Sequence, residues 1–231
     1  MTRPIPDNVP LRTVHSFVIR AGRMTEAQKA ARDKLWPQFG LELVNGIVPQ
    51  QQVFGRLAPL VLEIGFGMGT SLVEMAKAAP ETDFIGIEVH PPGIGNLLKL
   101  VDQEQLTNIR VYQADARVVL EKCIADSSLS CLQIFFPDPW HKKRHYKRRM
   151  IQPDFIKEVR PKLMAAGIIH LATDWQPYAG QMMQVLSADA GFRNAFGEQC
   201  YSLQHSRPTT KFEQRGQKLG HGVWDMLFIK V

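Results

Sequence analysis

The segment that decides the fold of this chain runs from Val61 to Thr70 and reads VLEIGFGMGT. A short, mostly apolar run that contains Glu63 comes first, and three glycines then alternate with Phe66 and Met68. Glycine lets the backbone turn tightly and approach a ligand closely, and a helix that follows such a turn begins with free N–H groups. The segment therefore predicts a strand, a tight turn at a ligand site and the start of a helix.

The same alternation of strand and helix continues towards the C-terminus. Apolar runs predict further strands at residues 84–89, 109–113, 131–136, 168–172, 192–196 and 223–231, and helical patterns predict helices at residues 70–79, 94–106, 117–125, 153–164 and 178–190. Strands separated by helices of about 10–15 residues imply right-handed βαβ units. We therefore expect an α/β fold with a doubly wound, mainly parallel sheet, in which ligands bind beyond the carboxyl ends of the strands.

The N-terminal part of the chain does not follow this alternation. Its first residues contain Pro and Arg with little periodicity, which is typical of an arm. Thr25 and Gln28 form a capping box for a helix over residues 27–36, which is expected to end before Pro37. We expect an N-terminal arm and helix over residues 1–34 and one domain over residues 35–231.

Charge is distributed unevenly along the 231 residues. The formal net charge is +6, and residues 141–149 (HKKRHYKRR), here called the basic block, carry six basic and no acidic groups. The rest of the chain is therefore neutral. Basicity that is confined to one short segment indicates a polyanionic partner such as a nucleic acid.

The composition excludes several classes of protein. With 45% apolar and 22% charged residues the chain is typical of a folded soluble protein. It has no apolar run of the roughly 20 residues that span a bilayer, and no apolar stretch typical of a signal peptide at its start. Cys123, Cys131 and Cys200 are odd in number and widely spaced, which is typical of reduced thiols in a cytosolic protein without a zinc site. His141 and His145 lack a third ligand nearby, so no metal is expected.

Acidic residues lie at the ends of the first three predicted strands. The dinucleotide-binding fingerprint has a glycine where Thr70 stands, and Glu63 would repel a pyrophosphate, so a sulfonium or an amino group fits better. Glu88 lies where a carboxylate accepts hydrogen bonds from ribose hydroxyls. Asp115 either accepts a hydrogen bond from an adenine amino group or caps the next helix. Together these features favour a pocket for S-adenosylmethionine over one for nucleotide phosphates.

The fourth predicted strand runs into Pro137-Asp138-Pro139-Trp140 and then directly into the basic block. The two prolines restrict the backbone, so Asp138 is held in a defined orientation. Trp140 either stacks on a base or packs in the core of a rigid loop in which Asp138 is a cap. In an RNA-binding protein the basic side chains would contact phosphates, and the interleaved His and Tyr side chains would stack on bases.

Two further motifs lie nearer the C-terminus. Asp174 and Trp175 follow the fifth predicted strand and share its edge of the sheet. The segment TTKFEQRG, residues 209–216, precedes the last predicted strand and is expected to form a loop that folds back over the pocket. Glu213 has basic neighbours in this segment, and a plain surface salt bridge there would contribute little to stability.

Four of these segments, in this order, resemble the bacterial tRNA (guanine-N7-)-methyltransferase family: IEVH, FPDPWHKKRHYKRR, ATDW and TKFEQRG. The resemblance runs from about Ser16 to the C-terminus. It implies the Rossmann-like fold of class I methyltransferases, S-adenosylmethionine as cofactor and S-adenosylhomocysteine as product. It also implies methylation of the variable-loop guanine at nucleotide position 46 of tRNA. The expected partner is therefore tRNA, without a membrane partner, for a cytoplasmic monomer or homodimer.

The resemblance further implies roles for individual residues. The implied cofactor ligands are Glu63, Gly65, Gly67, Glu88, Asp115 and Asp138, and Asp138 is also implicated in catalysis. The implied substrate contacts are Lys142, Asp174, Thr210, Lys211, Phe212 and Glu213. The implied RNA contacts are Arg144, His145, Tyr146, Lys147, Arg148 and Arg149. One departure is His15, where the family usually has an arginine, so a phosphate contact by the arm is expected to be weaker or pH-dependent.

The chemistry of this reaction agrees with the residues present. Guanine N7 carries a lone pair and no proton, so its methylation needs no general base. We expect Asp138 to stabilise the positive charge that develops on the guanine ring. Asp174 or Glu213 is expected to accept hydrogen bonds from guanine N1–H and the 2-amino group, because adenine has no donor at N1.

Three other functions are disfavoured by particular residues. Adenine amino-group methyltransferases place Asp/Asn-Pro-Pro-aromatic after the same strand, and Asp138-Pro139-Trp140 is one proline short of that motif. An RNA-binding module with a vestigial cofactor fold would be expected to lack one of the acids at the strand ends, and all three are present. An NAD-dependent oxidoreductase is disfavoured by Thr70 in the glycine turn.

Overall fold

The computed structural model describes residues 16–17, 22–202, 207–208, 213 and 222–231. The helices of these residues are α1 (Glu26–Phe39), α2 (Gln50–Phe54), α3 (Thr70–Ala78), α4 (Pro91–Gln103), α5 (Ala116–Cys123), α6 (Pro153–Val159) and α7 (Gln176–Ser187). The strands are β1 (Gly40–Leu41), β2 (Leu60–Ile64), β3 (Asp83–Ile87), β4 (Ile109–Tyr112), β5 (Leu129–Phe135), β6 (Leu163–Thr173), β7 (Phe192–Asn194) and β8 (Trp224–Lys230). Short 3₁₀ helices lie at Leu43–Asn45, Lys143–Arg148 and Arg160–Lys162.

Within the described residues the strands form one eight-stranded sheet in the order β1-β4-β3-β2-β5-β6-β8-β7. Neighbouring strands from β1 to β6 are parallel, and β8 is antiparallel to both β6 and β7. The predicted α/β fold with a doubly wound, mainly parallel sheet is therefore confirmed. The strand order reverses between β2 and β5, and open α/β sheets bind ligands outside the carboxyl ends of the strands at such a point.

Apolar clusters cover both faces of the sheet. One face packs against α5, α6 and α7, where Phe155 and Tyr178 are fully buried. The other face packs against α1, α3 and α4, where Leu72 and Leu97 are fully buried. Helix α1 approaches α4 closely at Gly95, where an added Cβ would lie only 2.6 Å from the carbonyl oxygen of Gln28. The helix that precedes the sheet is thus packed on the core.

Helix α1 is longer than the sequence predicts. The capping box is confirmed, since Thr25 Oγ1 accepts the N–H of Gln28 while the Gln28 side chain accepts the N–H of Thr25. The predicted end before Pro37 is wrong, because the helix continues to Phe39. Phe39 is 5% exposed, and its burial compensates for the hydrogen bond that a proline lacks. The helix spans the expected boundary between residues 34 and 35, and that division of the chain stays a prediction.

One unpredicted strand and one earlier strand start also differ from the predictions. Strand β1, which no pattern predicts, pairs with β4 at the edge of the sheet through only two residues. The helix predicted to residue 164 ends at Val159, because Pro161 stops it, and strand β6 begins at Leu163 instead of residue 168. Leu163 pairs with Leu129 and is fully buried. Tertiary pairing thus extends β6 into a segment with helical periodicity.

None of the described helices is long and apolar enough to cross a membrane. In the same part of the chain, no three His, Cys, Asp or Glu side chains are grouped so that they could hold a metal ion.

Candidate functional site

The glycine turn after β2 adopts a backbone that other residues rarely adopt. Gly65, Gly67 and Gly69 have φ values of +76°, +59° and +76°. A Cβ added to Gly65 or Gly67 would meet no atom within 4 Å, so space beside the turn is open. Gly93 of α4 lies against the turn, and a Cβ there would lie 2.1 Å from the Gly67 carbonyl oxygen. The turn thus combines a left-handed backbone, close helix packing and room for a ligand.

Glu63 is the most unusual acid of the site. It lies one residue before the end of β2, its residue is 3% exposed, and its Oε2 atom is buried without a hydrogen-bond partner. Burial raises the pKa of Glu63 to about 8, the charge of Glu88 adds to this effect, and Arg207 opposes it. A buried acceptor without a donor is costly, so Glu63 is suited to a ligand that brings a positive charge or an N–H group.

Glu88 lies directly after β3, and the backbone around it holds its carboxylate in place. Its Oε2 accepts the N–H of Gly67 at 2.9 Å, and its Oε1 accepts the N–H groups of Val89 at 2.7 Å and His90 at 3.0 Å. These bonds link the ends of β2 and β3. Each carboxylate oxygen has more than one acceptor site, so the Glu88 carboxylate can accept further hydrogen bonds.

Asp115 caps helix α5, as one of the two alternatives predicted. Its Oδ1 accepts the N–H of Arg117 at 2.9 Å, and the residue is half-buried. A cavity of about 310 Å³ lies beside it, and its wall includes Ser16 and the Lys147–Arg149 part of the basic block. A carboxylate can accept several hydrogen bonds, so this cap does not exclude a contact with adenine. The adenine contact of Asp115 therefore stays a prediction.

The segment after β5 is a tight loop that projects Asp138 outward. Phe136 and Trp140 have φ values of +52° and +48°, which are uncommon for residues with side chains and costly in energy. The N–H of Phe136 donates to the Ala172 carbonyl at 2.8 Å and so extends the pairing of β5 with β6. Asp138 is exposed beyond the sheet.

Arg149 stabilises the loop that carries Asp138. Its Nε donates to the Pro139 carbonyl at 2.8 Å, and its Nη1 donates to the Gln181 side chain of α7. Its guanidinium lies 3.7 Å from the centre of the Tyr146 ring. Arg149 is 3% exposed, which does not favour its predicted role as an RNA contact, and that role stays a prediction. Its bonds to Pro139 and Gln181 fix the loop that carries Asp138.

Trp140 joins the basic block to the start of the described chain. The Arg148 guanidinium lies 4.0 Å from the centre of the Trp140 ring, and the indole N–H donates to the Ser16 carbonyl at 3.2 Å. Arg148 also donates to the Phe17 carbonyl at 3.4 Å. Trp140 is only half-buried, so the alternative in which it packs in the core is not observed. Instead, Trp140 and Arg148 place residues 16–17 on the basic block.

The other basic side chains face solvent. Lys142, Lys143, Arg144 and Lys147 are exposed. The pKa of His145 is lowered by desolvation and by the positive charges of Arg144, Arg148, Lys142 and Lys147. The four exposed cations, here called the basic surface, thus present positive charge to solvent within a few residues of Asp138 in the sequence.

Strand β6 places Asp174 and Trp175 near the same edge. Asp174 is half-buried, and the indole Nε1 of Trp175 is buried without a hydrogen-bond partner. The rings of His141 and Trp175 lie 4.3 Å apart in an edge-to-face arrangement. The loops after β5 and β6 therefore meet, which brings Asp174 close to His141, the first residue of the basic block.

Glu213 does not form a surface salt bridge. It accepts a hydrogen bond from Arg207 Nη1 at 2.6 Å, and both side chains are 1% exposed. Arg207 also donates to both oxygens of Asp225 on β8, at 2.9 and 2.8 Å, and Asp225 Oδ1 lies 2.9 Å from His170 Nε2. Thr210, Lys211 and Phe212 of the same motif lie outside the described residues.

The sequence predictions missed this buried cluster of Arg207, Asp225, His170 and Glu213. Burial alone would raise the pKa of Asp225, but hydrogen bonds from His170 and Arg207 outweigh it and hold the pKa well below its usual range. The available signal was the presence of His170 and Asp225 inside two predicted apolar strands, since buried ionisable groups need partners.

Comparisons with known proteins show which family this chain is similar to. Residues 57–226 match a family model described as "Putative methyltransferase". A "tRNA (guanine-N(7)-)-methyltransferase" of Saccharophagus degradans is 57% identical over 94% of this chain and 95% of its own length. A protein of the same name from Stutzerimonas stutzeri is 54% identical over 97% of this chain and 94% of its own length.

A solved structure shares the fold at low sequence identity. The 16S rRNA (adenine(1408)-N(1))-methyltransferase of Catenulisporales acidiphilia, solved with its cosubstrate SAM, is 12% identical with a TM-score of 0.56. The match covers 83% of this chain and 92% of that chain. The α/β architecture is thus that of class I methyltransferases.

Proposed function

The chain belongs to the tRNA (guanine-N7-)-methyltransferase family, and on this premise we propose that it transfers a methyl group from S-adenosylmethionine to N7 of the variable-loop guanine at position 46 of tRNA. The observation that carries the proposal is the unpartnered, buried carboxylate of Glu63 directly before the glycine turn. A desolvated carboxyl group at this point suits a cationic cofactor, because the bound cation would stabilise its ionised form, whereas a phosphate would not.

The residues at the carboxyl ends of β2, β3 and β4 fit S-adenosylmethionine. Glu63 offers an acceptor to a cation, and the open space beside Gly65 and Gly67 admits a ligand close to the backbone. Glu88 is oriented to accept hydrogen bonds from ribose hydroxyls, and Asp115 to accept one from the adenine amino group. When bound, this cofactor supplies an electrophilic methyl group.

Asp138 is the proposed catalytic residue. Its exposed carboxylate stands on a loop that Arg149 and two prolines hold rigid, beside the switch point of the sheet. A fixed negative charge there stabilises the positive charge that guanine gains during methylation more than it stabilises neutral guanine. Asp138 takes no proton in this step, because N7 has none to lose.

Asp174 is the proposed acceptor for guanine N1–H and the 2-amino group. The expectation named Glu213 as the other candidate, but that carboxylate is buried against Arg207. Asp174 is half-buried at the edge where the loops after β5 and β6 meet. Since N7 lies on the opposite edge of the base, we propose that the guanine leaves its stacked position before it binds.

The basic surface is proposed to hold tRNA phosphates. Its four cations are exposed, and they follow Asp138 closely in the sequence. If each neutralises one phosphate, log affinity falls with log salt concentration with a slope of roughly −3 to −4. We further propose that the enzyme acts in the cytoplasm as a monomer or a homodimer.

The experiment that tests the proposal is incubation of the protein with labelled S-adenosylmethionine and unmodified tRNA, followed by nucleoside analysis. The expected product is 7-methylguanosine, and a tRNA with adenine at position 46 should accept no label. Label in methyladenosine would instead support the alternative function, that of an adenine amino-group methyltransferase. A tRNA that binds without accepting label would support the RNA-binding module.

A further inference from the structure

Gln133 lies beside Glu63 on the neighbouring strand. The two are paired in the register of β2 and β5. Side chains of paired residues on parallel strands, which lie about 4.8 Å apart, leave the same face of the sheet. Glu63 is 3% and Gln133 is 9% exposed, so both side chains are removed from water.

Each of these side chains carries a buried oxygen without a partner. These atoms are Glu63 Oε2 and Gln133 Oε1. Buried polar atoms are nearly always hydrogen-bonded, and two unpartnered oxygens on adjacent strands are therefore exceptional. An ammonium group has three N–H donors and no acceptor, so it can satisfy both oxygens at once when Glu63 is ionised.

Cys131 lies two residues from Gln133 on β5 and therefore shares its face of the sheet. Burial raises the pKa of the Cys131 thiol to about 12, a hydrogen bond from Gln133 opposes this effect, and the Glu63 charge adds to it. The Gln133 carbonyl oxygen has no donor among the described residues.

We propose that Gln133 is a cofactor-binding residue, and that its Oε1 accepts, together with Glu63 Oε2, hydrogen bonds from the α-ammonium group of S-adenosylmethionine. The proposal rests on the cofactor assigned under the proposed function, and it assigns a second residue to one end of that cofactor. No other interaction of the described residues satisfies these two oxygens.

A proton exchange follows from the charges around Glu63. Glu88 faces it from the end of β3, Arg207 from the segment before β8 and Cys131 from β5. Because burial and Glu88 raise the pKa of Glu63 to about 8, the side chain is largely protonated at neutral pH without ligand. An ammonium group that enters the site replaces this proton, which passes to the buffer.

The test compares two ligands by isothermal titration calorimetry. S-adenosylhomocysteine contains the α-ammonium group, whereas methylthioadenosine has the same nucleoside and thioether without it. In Gln133→Met, which keeps the length of the side chain without the carbonyl, the affinity for S-adenosylhomocysteine should fall about 10- to 100-fold. The affinity for methylthioadenosine should be unchanged. Decarboxylated S-adenosylhomocysteine, which keeps the amine, should lose affinity as the parent does.

Gln184→Met is the matched control, because Gln184 is exposed on α7. It should leave both affinities unchanged. An equal loss for both ligands in Gln133→Met, or no loss for either, overturns the proposal. If the wild-type protein binds neither ligand, the cofactor assignment itself fails, which is a separate outcome.

A second variant covers the case in which Gln133→Met does not fold. Gln133→Glu keeps an acceptor oxygen, so it should keep the preference for S-adenosylhomocysteine over methylthioadenosine. A loss of that preference contradicts the role of residue 133 as an acceptor. In the wild type, titrations at pH 7 in buffers of different ionisation enthalpy should show release of about one proton with S-adenosylhomocysteine and none with methylthioadenosine. Equal proton release with both ligands contradicts the exchange.

Discussion

Arg207 Nη1 donates to Glu213 Oε2 at 2.6 Å, and both side chains are 1% exposed. Because Arg207 also binds Asp225 of β8, the pair attaches Glu213 to the sheet. The guanidinium is thus the common partner of two buried carboxylates. This relationship fixes Glu213, the one described residue of the TKFEQRG motif, inside the protein.

We expect Arg207→Met to destabilise the fold by about 3–5 kcal/mol, because it removes the guanidinium that two buried carboxylates contact. Urea unfolding followed by circular dichroism measures this change. Lys77→Met is the control, since the pair of Lys77 with Glu104 is exposed and contributes less than about 1 kcal/mol. Equal losses for the two variants would show that burial of the Arg207 pair is not important for stability.

We expect Glu63→Gln to stabilise the ligand-free protein at alkaline pH. The pKa of Glu63 is about 8 in the folded protein and 4.5 for an unperturbed glutamate side chain, so the folded state binds more protons between these values. Its contribution to stability is therefore complete below about pH 4.5 and is lost as the pH rises to about 8. Above pH 8 the variant should exceed the wild type by up to about 5 kcal/mol, and near pH 4 the two should be similar.

The measurement is urea unfolding at a series of pH values without ligand. Glu74→Gln, which changes an exposed acid on α3, is the control and should follow the wild type at every pH. A wild-type stability that rises between pH 5 and pH 8 relative to Glu63→Gln would contradict the raised pKa.

We expect Lys147→Ala and Arg149→Met to differ although the two residues are close in the sequence. Lys147 is exposed, so its loss should weaken tRNA binding and make the salt slope about 0.7–0.9 less steep, with unchanged stability. Arg149 is buried, so its loss leaves the Pro139 carbonyl and the Gln181 side chain without a donor and should lower the free energy of unfolding by about 1–3 kcal/mol. Filter binding over a salt series and urea unfolding measure the two effects. A change in salt slope for Arg149→Met that equals the change for Lys147→Ala would restore Arg149 as a phosphate contact.

We expect Asp138→Asn to lower kcat by about 100- to 1,000-fold, because an amide cannot stabilise the charge that develops on guanine. Single-turnover methylation measures the chemical step, and calorimetry with S-adenosylhomocysteine measures cofactor affinity. Asp33→Asn, an exposed acid on α1, is the control and should be fully active. Near-normal turnover with unchanged cofactor affinity would remove Asp138 from catalysis.

The fold class and the site acids are largely encoded in local sequence. Short apolar runs separated by helical periodicity specify a parallel sheet, and the acids that follow the runs must then lie at one edge of it. The helix end at Pro37 and the start of β6 could not be predicted in the same way, because burial of Phe39 and Leu163 outweighs the local signals. The same holds for β1, whose two residues are specified only by their pairing with β4.

By itself, the sequence determined which residues are at the carboxyl ends of the strands, which ligand charge suits Glu63 and where the positive charge is concentrated. Only the tertiary structure decided which charges face solvent and which are paired, because exposure depends on contacts between residues far apart in the chain. It separated Lys147 from the buried Arg149, joined Glu213 to Arg207 and placed Gln133 beside Glu63. Residues of the same charge thus acquire different roles, because burial removes water as the alternative partner of a charge or a hydrogen bond.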